Sequence, residues 1–248
     1  MMRYFSLALQ FLTVIPFKVK NVEEKEIGRS CVFFPLVGAF IGLILFIIYK
    51  AVSCLYLDTL LTSAIVSIAL IVLTGGLHLD GLADTFDAFA SNKNREKKLE
   101  IMRDSRIGTM GVLALISIIV LKILFLSEIS TFDKFTALLS MCILSRWGQV
   151  LSIRSFNYAR EGGKAKVFFD GINNGIYLSA LIITLLFLFL LWQLKGIYLF
   201  AVLSIFSYFL GRLFSSKFGG LTGDVIGAIS EISEVFVLFY IVILQRFI

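Results

Sequence analysis

Proline, histidine and cysteine are scarce in this chain, whose 248 residues include only 2 prolines, 1 histidine and 3 cysteines. So few prolines leave long stretches free to be helical. Cys31, Cys54 and Cys142 are scattered in apolar context with no CxxC spacing. They build neither a zinc ribbon nor a disulfide framework, and read as small core residues. Charged residues amount to 16%, and every polar segment is too short to bury a core of its own. That excludes a separate soluble domain and predicts one membrane-embedded domain over residues 1–248. Residues 1–17 lack a small-residue cleavage site and end in Pro16 followed by charge, so no cleavable signal peptide is expected. No internal repeat is found, which leaves the inverted-repeat plan of many transporters without support.

What the chain does have is apolar length. It is 58% hydrophobic with 25 phenylalanines, and its mean hydropathy is +0.94. Unbroken apolar runs exclude the alternating pattern of a membrane barrel, so the fold class is all-α, a polytopic integral membrane helical bundle. About seven spans are predicted: 31–57, 59–77, 109–126, 135–153, 175–192, 196–214 and a last one carrying Glu231 and Glu234 near its start. A shorter apolar segment closed by Pro16 predicts an N-terminal interfacial or re-entrant helix. Gly38 and Gly42 form a GxxxG that permits close helix approach.

The basic residues orient the bundle. Arg3, Lys18, Lys20, Lys25 and Arg29 precede the first span, and the segments after the second, fourth and sixth spans carry most of the others. Lys50, Lys134, Lys195 and Arg246 lie near the opposite ends. By the positive-inside rule the N-terminus is cytoplasmic and the C-terminus outside. This distribution accounts for the net charge of +6 without a nucleic-acid partner. Only Asp58, Glu128 and Asp133 among the acidic residues face out, so every unusual motif converges on the cytoplasmic side.

The acid gathers after Gly75-Gly76. Asp80, Asp84 and Asp87 stand at i, i+4 and i+7, which puts three carboxylates on one face of a helix. No Lys or Arg lies between them, and oxygen-only ligands of this kind suit Mg²⁺ or Mn²⁺. The bland alternative is a solvated helix end just outside the membrane. Arg103-Asp104-Ser105-Arg106 follows, closed by Gly108 and Gly111: arginine forks match phosphate oxygens, or else hold lipid headgroups. Tyr158 and Arg160 stand beside Gly162-Gly163, and Arg146 is buried one helix away. An intramembrane arginine points to a ligand or to an ion pair with Glu231 or Glu234. Gly220, Asp224, Gly227 and Glu231 would share one helical face, a carboxylate stripe stripped of bulk, and contribute to the metal or substrate site. His78 sits nearly opposite Asp80 on the wheel and reads as structural or supporting before it reads as a general base; an aspartate suits a hydroxyl nucleophile better.

Carboxylate-held Mg²⁺ with several arginines is phosphoryl-transfer chemistry. On this reading Asp80, Asp84, Asp87, Asp104 and Arg106 are catalytic, and Asp80, Asp84, Asp87 and Asp224 hold the metal. Arg103, Ser105, Arg146, Tyr158, Arg160, Gly220 and Glu231 bind substrate.

The chain resembles the cobalamin-5'-phosphate synthase family in Leu9-Gln10-Phe11-Leu12-Thr13, Phe34-Pro35-Leu36-Val37-Gly38, Gly76-Leu77-His78-Leu79-Asp80-Gly81-Leu82-Ala83-Asp84-Thr85, Asp104-Ser105-Arg106-Ile107-Gly108, Tyr158-Ala159-Arg160 and Leu221-Thr222-Gly223-Asp224. The pieces run in order along the whole chain. The resemblance implies a Mg²⁺-dependent enzyme of the bacterial inner membrane with its site on the cytoplasmic side. A hydroxyl of α-ribazole, or of its 5'-phosphate, would attack adenosylcobinamide-GDP, releasing GMP. Membrane lipid is the other expected partner, and a homo-oligomer is left open. The family often has Arg after Phe-Leu-Thr where Val14 stands here, which questions a substrate role for the N-terminal helix. A CDP-alcohol phosphotransferase-like enzyme fits less well, because no arginine follows Asp80-Gly81 before Arg95. A cation-coupled secondary transporter would hold its carboxylates nearer the midplane.

Overall fold

A computed structural model describes residues 1–17 and 19–246 of the chain; Lys18, counted above among the cytoplasmic basic residues, lies outside the described residues. Among the described residues twelve α-helices follow one another. An N-terminal helix α1 (Met2–Leu12) and a short α2 (Glu24–Arg29) lead into α3 (Phe34–Ser53) and α4 (Thr59–Thr74). Next come α5 (Leu77–Ala90), α6 (Arg95–Ile101), α7 (Thr109–Glu128) and α8 (Lys134–Ser155). The chain ends with a short α9 (Lys166–Gly171), then α10 (Asn174–Trp192), α11 (Leu194–Phe218) and α12 (Gly223–Gln245). Six helical stretches are long and apolar enough to cross a membrane, and the pair α4 and α5 would make a seventh.

The bundle is built around α8, which is buried along almost its whole length. α3 packs closest to it, because Gly38 and Gly42 let its backbone lie directly on Cys142 and Leu139. α7, α10 and α11 keep most of their residues on the outside, as helices facing lipid do. Cys31 and Cys142 are buried, as small core residues should be, but Cys54 is exposed at the end of α3.

The second span departs from expectation. It does not run straight into the aspartates, because α4 stops at Thr74 and α5 leaves at 91°. Gly75 and Gly76 both adopt left-handed backbone, φ 63° and 68°, which side chains with a Cβ disfavour. Gly76 N–H donates to Ile71 O at 3.0 Å and Gly75 N–H to Val72 O at 3.2 Å, closing the helix end. Val14 packs on this corner and donates its N–H to Leu73 O at 2.9 Å, so the N-terminal segment braces the turn. The result is a helix laid across the end of the bundle, against the first turns of α7 and α12.

Candidate active site

α5 and α12 touch without a gap. A Cβ on Gly81 would meet Asp224 O at 2.6 Å, and one on Gly227 would meet His78 Cα at 3.2 Å. The small-residue face of α12 is therefore a packing surface for α5, a correction to its reading as a mark of chemistry. Gly220 is also not on that face: α12 begins at Gly223, capped by the Thr222 side chain. Gly220 instead lies in the connection after α11, where φ is 142° and a Cβ would strike Asn157 O at 2.7 Å. That close approach lets residues 157–159 pair with Leu221, Ala159 N–H donating to Leu221 O at 2.9 Å and Leu221 N–H to Asn157 O at 2.8 Å. The pairing carries Tyr158 and Arg160 to the start of α12.

A cleft of about 280 Å³ opens where these elements meet, lined among others by Asp80, Asp224, Tyr158, Arg160, Lys164, His78 and Gln149. Arg160 Nη2 donates to Asp224 Oδ2 at 3.1 Å. Arg160 Nε has no hydrogen-bond partner among the described residues. Arg95 stabilises the same loop by donating to Ala159 O at 3.1 Å. Asp84, half-buried on the next turn of α5, has a carboxyl pushed up to about 7 by burial and then by the nearby charges of Asp80, Asp224 and Asp87. These carboxylates therefore feel one another, and Arg160 is the cation set against them. His78 is buried inside the bundle, its Nε2 2.9 Å from Gln149 Nε2 of α8.

The remaining predicted residues lie elsewhere. Asp87 is turned away from the cleft, its two oxygens accepting from Gly108 N–H and Gly111 N–H, each at 2.7 Å. It fastens the N-terminus of α7, where the helix dipole favours a negative charge. Arg103, Ser105 and Arg106 are exposed on the loop before α7 and do not line the cleft. Arg106 folds back on Asp104 at 2.7 Å, and this hydrogen bond holds the Asp104 carboxyl down to about 2. Arg146 and Glu231 do not line the cleft either, contrary to their assignment as substrate ligands. Arg146 pairs with Glu234 inside the bundle, and Lys122 bridges Glu231 at 2.8 Å and Glu234 at 2.6 Å. Sequence reasoning missed Lys122, although a lysine inside the third span carries the same cost that drew notice to Arg146. It also missed Lys164, Gln149 and the phenylalanines of the cleft.

Among the described residues no group of three or more His, Cys, Asp or Glu side chains stands close enough to hold a metal ion. Mg²⁺ commonly uses one or two carboxylates, completing its shell with water and substrate phosphate. Asp80 and Asp224 at the cleft, with Asp84 on the next turn of α5 and a single arginine set against them, offer oxygen ligands for that kind of binding, one or two at a time.

Residues 4–242 match the model of the cobalamin-5-phosphate synthase family. The adenosylcobinamide-GDP ribazoletransferase of Acetivibrio thermocellus is 42% identical over 240 residues, covering 95% of this chain and 96% of that protein. Its counterpart in Caldanaerobacter subterraneus subsp. tengcongensis is 40% identical over 241 residues, 96% and 97% of the two chains. That of Clostridioides difficile is 36% identical over 253 residues, 98% of each. No solved structure matches. The chain belongs to the cobalamin-5-phosphate synthase family.

Proposed function

We propose that this protein transfers the adenosylcobinamide-phosphate part of adenosylcobinamide-GDP to a hydroxyl of α-ribazole or of its 5'-phosphate. A bond forms between that hydroxyl oxygen and the cobinamide-side phosphorus, the bond from that phosphorus to the bridging oxygen breaks, and GMP leaves. The observation that carries this reading is the cleft shared by Asp80, Asp224 and Arg160, in a chain whose relatives bear the transferase name along their full length. Arg160 and Lys164 offer N–H donors to the diphosphate, and the free Nε of Arg160 is spare for a phosphate oxygen. An aspartate at the cleft takes the proton of the attacking hydroxyl. Asp80, Asp84 and Asp224 are the residues that would hold Mg²⁺, which supplies charge neutralisation on the phosphates when bound. Asp87 keeps the start of α7 in place beside them.

The protein sits in the bacterial inner membrane, with its N-terminus and cleft on the cytoplasmic side. The crowding of Lys and Arg at that end supports this orientation, as does the nucleotide-bearing substrate. Membrane lipid meets the exposed apolar faces of α7, α10 and α11. The test is turnover in detergent or liposomes with adenosylcobinamide-GDP and α-ribazole, with and without Mg²⁺. The expected result is Mg²⁺-dependent GMP release matched by formation of cobalamin or its 5'-phosphate. A folded protein that releases no GMP overturns the proposal.

A further inference from the structure

The cleft has an aromatic side that the transfer chemistry does not use. Phe11 of α1 and Phe168 of α9 have ring centroids 4.5 Å apart, and Phe34 lies 5.6 Å from Phe168. Phe169 lines the same space. Away from the mouth are His78 and Gln149, 4% and 1% exposed, against 39% for Phe11. Gln149 Nε2 and His78 Nε2 are 2.9 Å apart, and they satisfy only each other. His78 Nδ1 and Gln149 Oε1 are buried with no hydrogen-bond partner among the described residues. If the amide donates to the ring, an N–H on His78 and a carbonyl on Gln149 are left over. If the amide is turned the other way, a bare ring nitrogen and an amide N–H are left over. In both cases one donor and one acceptor of the pair are left without a partner at the cleft lining, and they reach a ligand once the two side chains turn toward it.

A cleft lined by aromatic rings and by a donor–acceptor pair suits a flat heteroaromatic base with a polar edge. At about 280 Å³ the cleft admits a nucleoside-sized fragment but excludes a corrinoid. Two nucleosides take part in the proposed reaction. The attacking and leaving oxygens lie on opposite sides of the phosphorus, so only one of the two can occupy this cleft. The edges decide between them. Guanine carries N1–H next to O6, a donor beside an acceptor, which complements the pair. The outer edge of a benzimidazole offers neither, and would bury both unused groups unpaired.

We propose that the cleft walled by Phe11, Phe34, Phe168 and Phe169 binds the guanine of the nucleotide substrate, with His78 and Gln149 reading its N1–H and O6 edge. This rests on the transferase reading for the identity of the two nucleosides. The guanosine then runs from the buried pair to the mouth, which brings its diphosphate to Arg160 and the carboxylates.

The test is equilibrium dialysis of GMP and, separately, of α-ribazole against detergent-solubilised full-length protein with Mg²⁺. Wild type is compared with Gln149→Leu and with Phe11→Leu, the latter a change at the partly exposed mouth that leaves the buried pair in place. GMP should bind about tenfold more weakly to Phe11→Leu and about 10- to 100-fold more weakly to Gln149→Leu, with α-ribazole binding unchanged in both. IMP, which keeps N1–H and O6, should compete like GMP. Loss of α-ribazole binding with GMP binding intact would overturn the proposal, as would GMP binding unchanged in both variants. Wild-type turnover is run in parallel. A wild type that binds GMP in this pattern but forms no cobalamin contradicts the transfer reaction, not the guanine site.

Discussion

Two ionic clusters lie about two helical turns apart along α12 in this protein, and they are balanced differently. Inside the bundle, Glu231 and Glu234 are matched by Lys122 and Arg146, and the side chains involved are at most 6% exposed. Around the cleft, Asp80, Asp84 and Asp224 answer to Arg160, and burial together with the neighbouring carboxylates pushes Asp84 up to about 7. A neutral buried cluster needs nothing further, whereas an acid-rich one at an open cleft calls for a cation. The lesson is that a charged residue in a membrane helix does not by itself mark a substrate site. Its balance and its access to the cleft do.

The comparison can be broken most forcefully at Asp84. Asp84→Ala should lower turnover by about 10²- to 10³-fold while leaving insertion and thermal unfolding in detergent near wild type, because it removes charge from an excess. Glu234→Ala should do the reverse. It leaves Lys122 and Arg146 short of a partner and should cost about 3–5 kcal/mol of stability, seen as a lowered Tm, with the folded fraction keeping its activity. Arg160→Lys should raise the KM for adenosylcobinamide-GDP about tenfold, since an ammonium does not reproduce the guanidinium fork. Smaller still is a pH effect. Between pH 7 and 6 Asp84 takes up a proton that a bound cation must displace, so apparent Mg²⁺ affinity should fall as pH falls, by at most about tenfold per unit. The same shift means the cation-free folded state binds a proton that the unfolded chain has released, so its stability should fall as pH rises from about 4 to about 7 and level off above that. Gly75→Ala should cost about 1–2 kcal/mol through its left-handed backbone, and a smaller loss would show that the corner is not under that constraint.

Much of the architecture was legible because apolar runs of this length have few alternatives to a spanning helix. The spans expected at 109–126 and 175–192 correspond to Thr109–Glu128 and Asn174–Trp192. The corner at Gly75-Gly76 was visible as two glycines, yet a helical wheel drawn through them assumes that the helix continues. The wheel did place Asp80 and Asp84 correctly beside one another. It also placed Asp87 with them, because periodicity cannot foresee that the amides of Gly108 and Gly111 would claim its oxygens. The partners of the cleft are separated by long stretches of chain: His78 meets Gln149 across 71 residues, and Arg160 meets Asp224 across 64. Such pairings are made by packing and leave no local pattern. Glycines at Gly81 and Gly227 mark where two helices touch, and sequence alone does not separate that from a ligand's need for room.

The most direct test of the central claim is binding of Mn²⁺, as a spectroscopic substitute for Mg²⁺, to the detergent-solubilised protein by electron paramagnetic resonance. The account predicts a bound ion in wild type that is lost in Asp84→Asn and retained in Glu231→Gln. Retention in Asp84→Asn, or loss in Glu231→Gln, would contradict it.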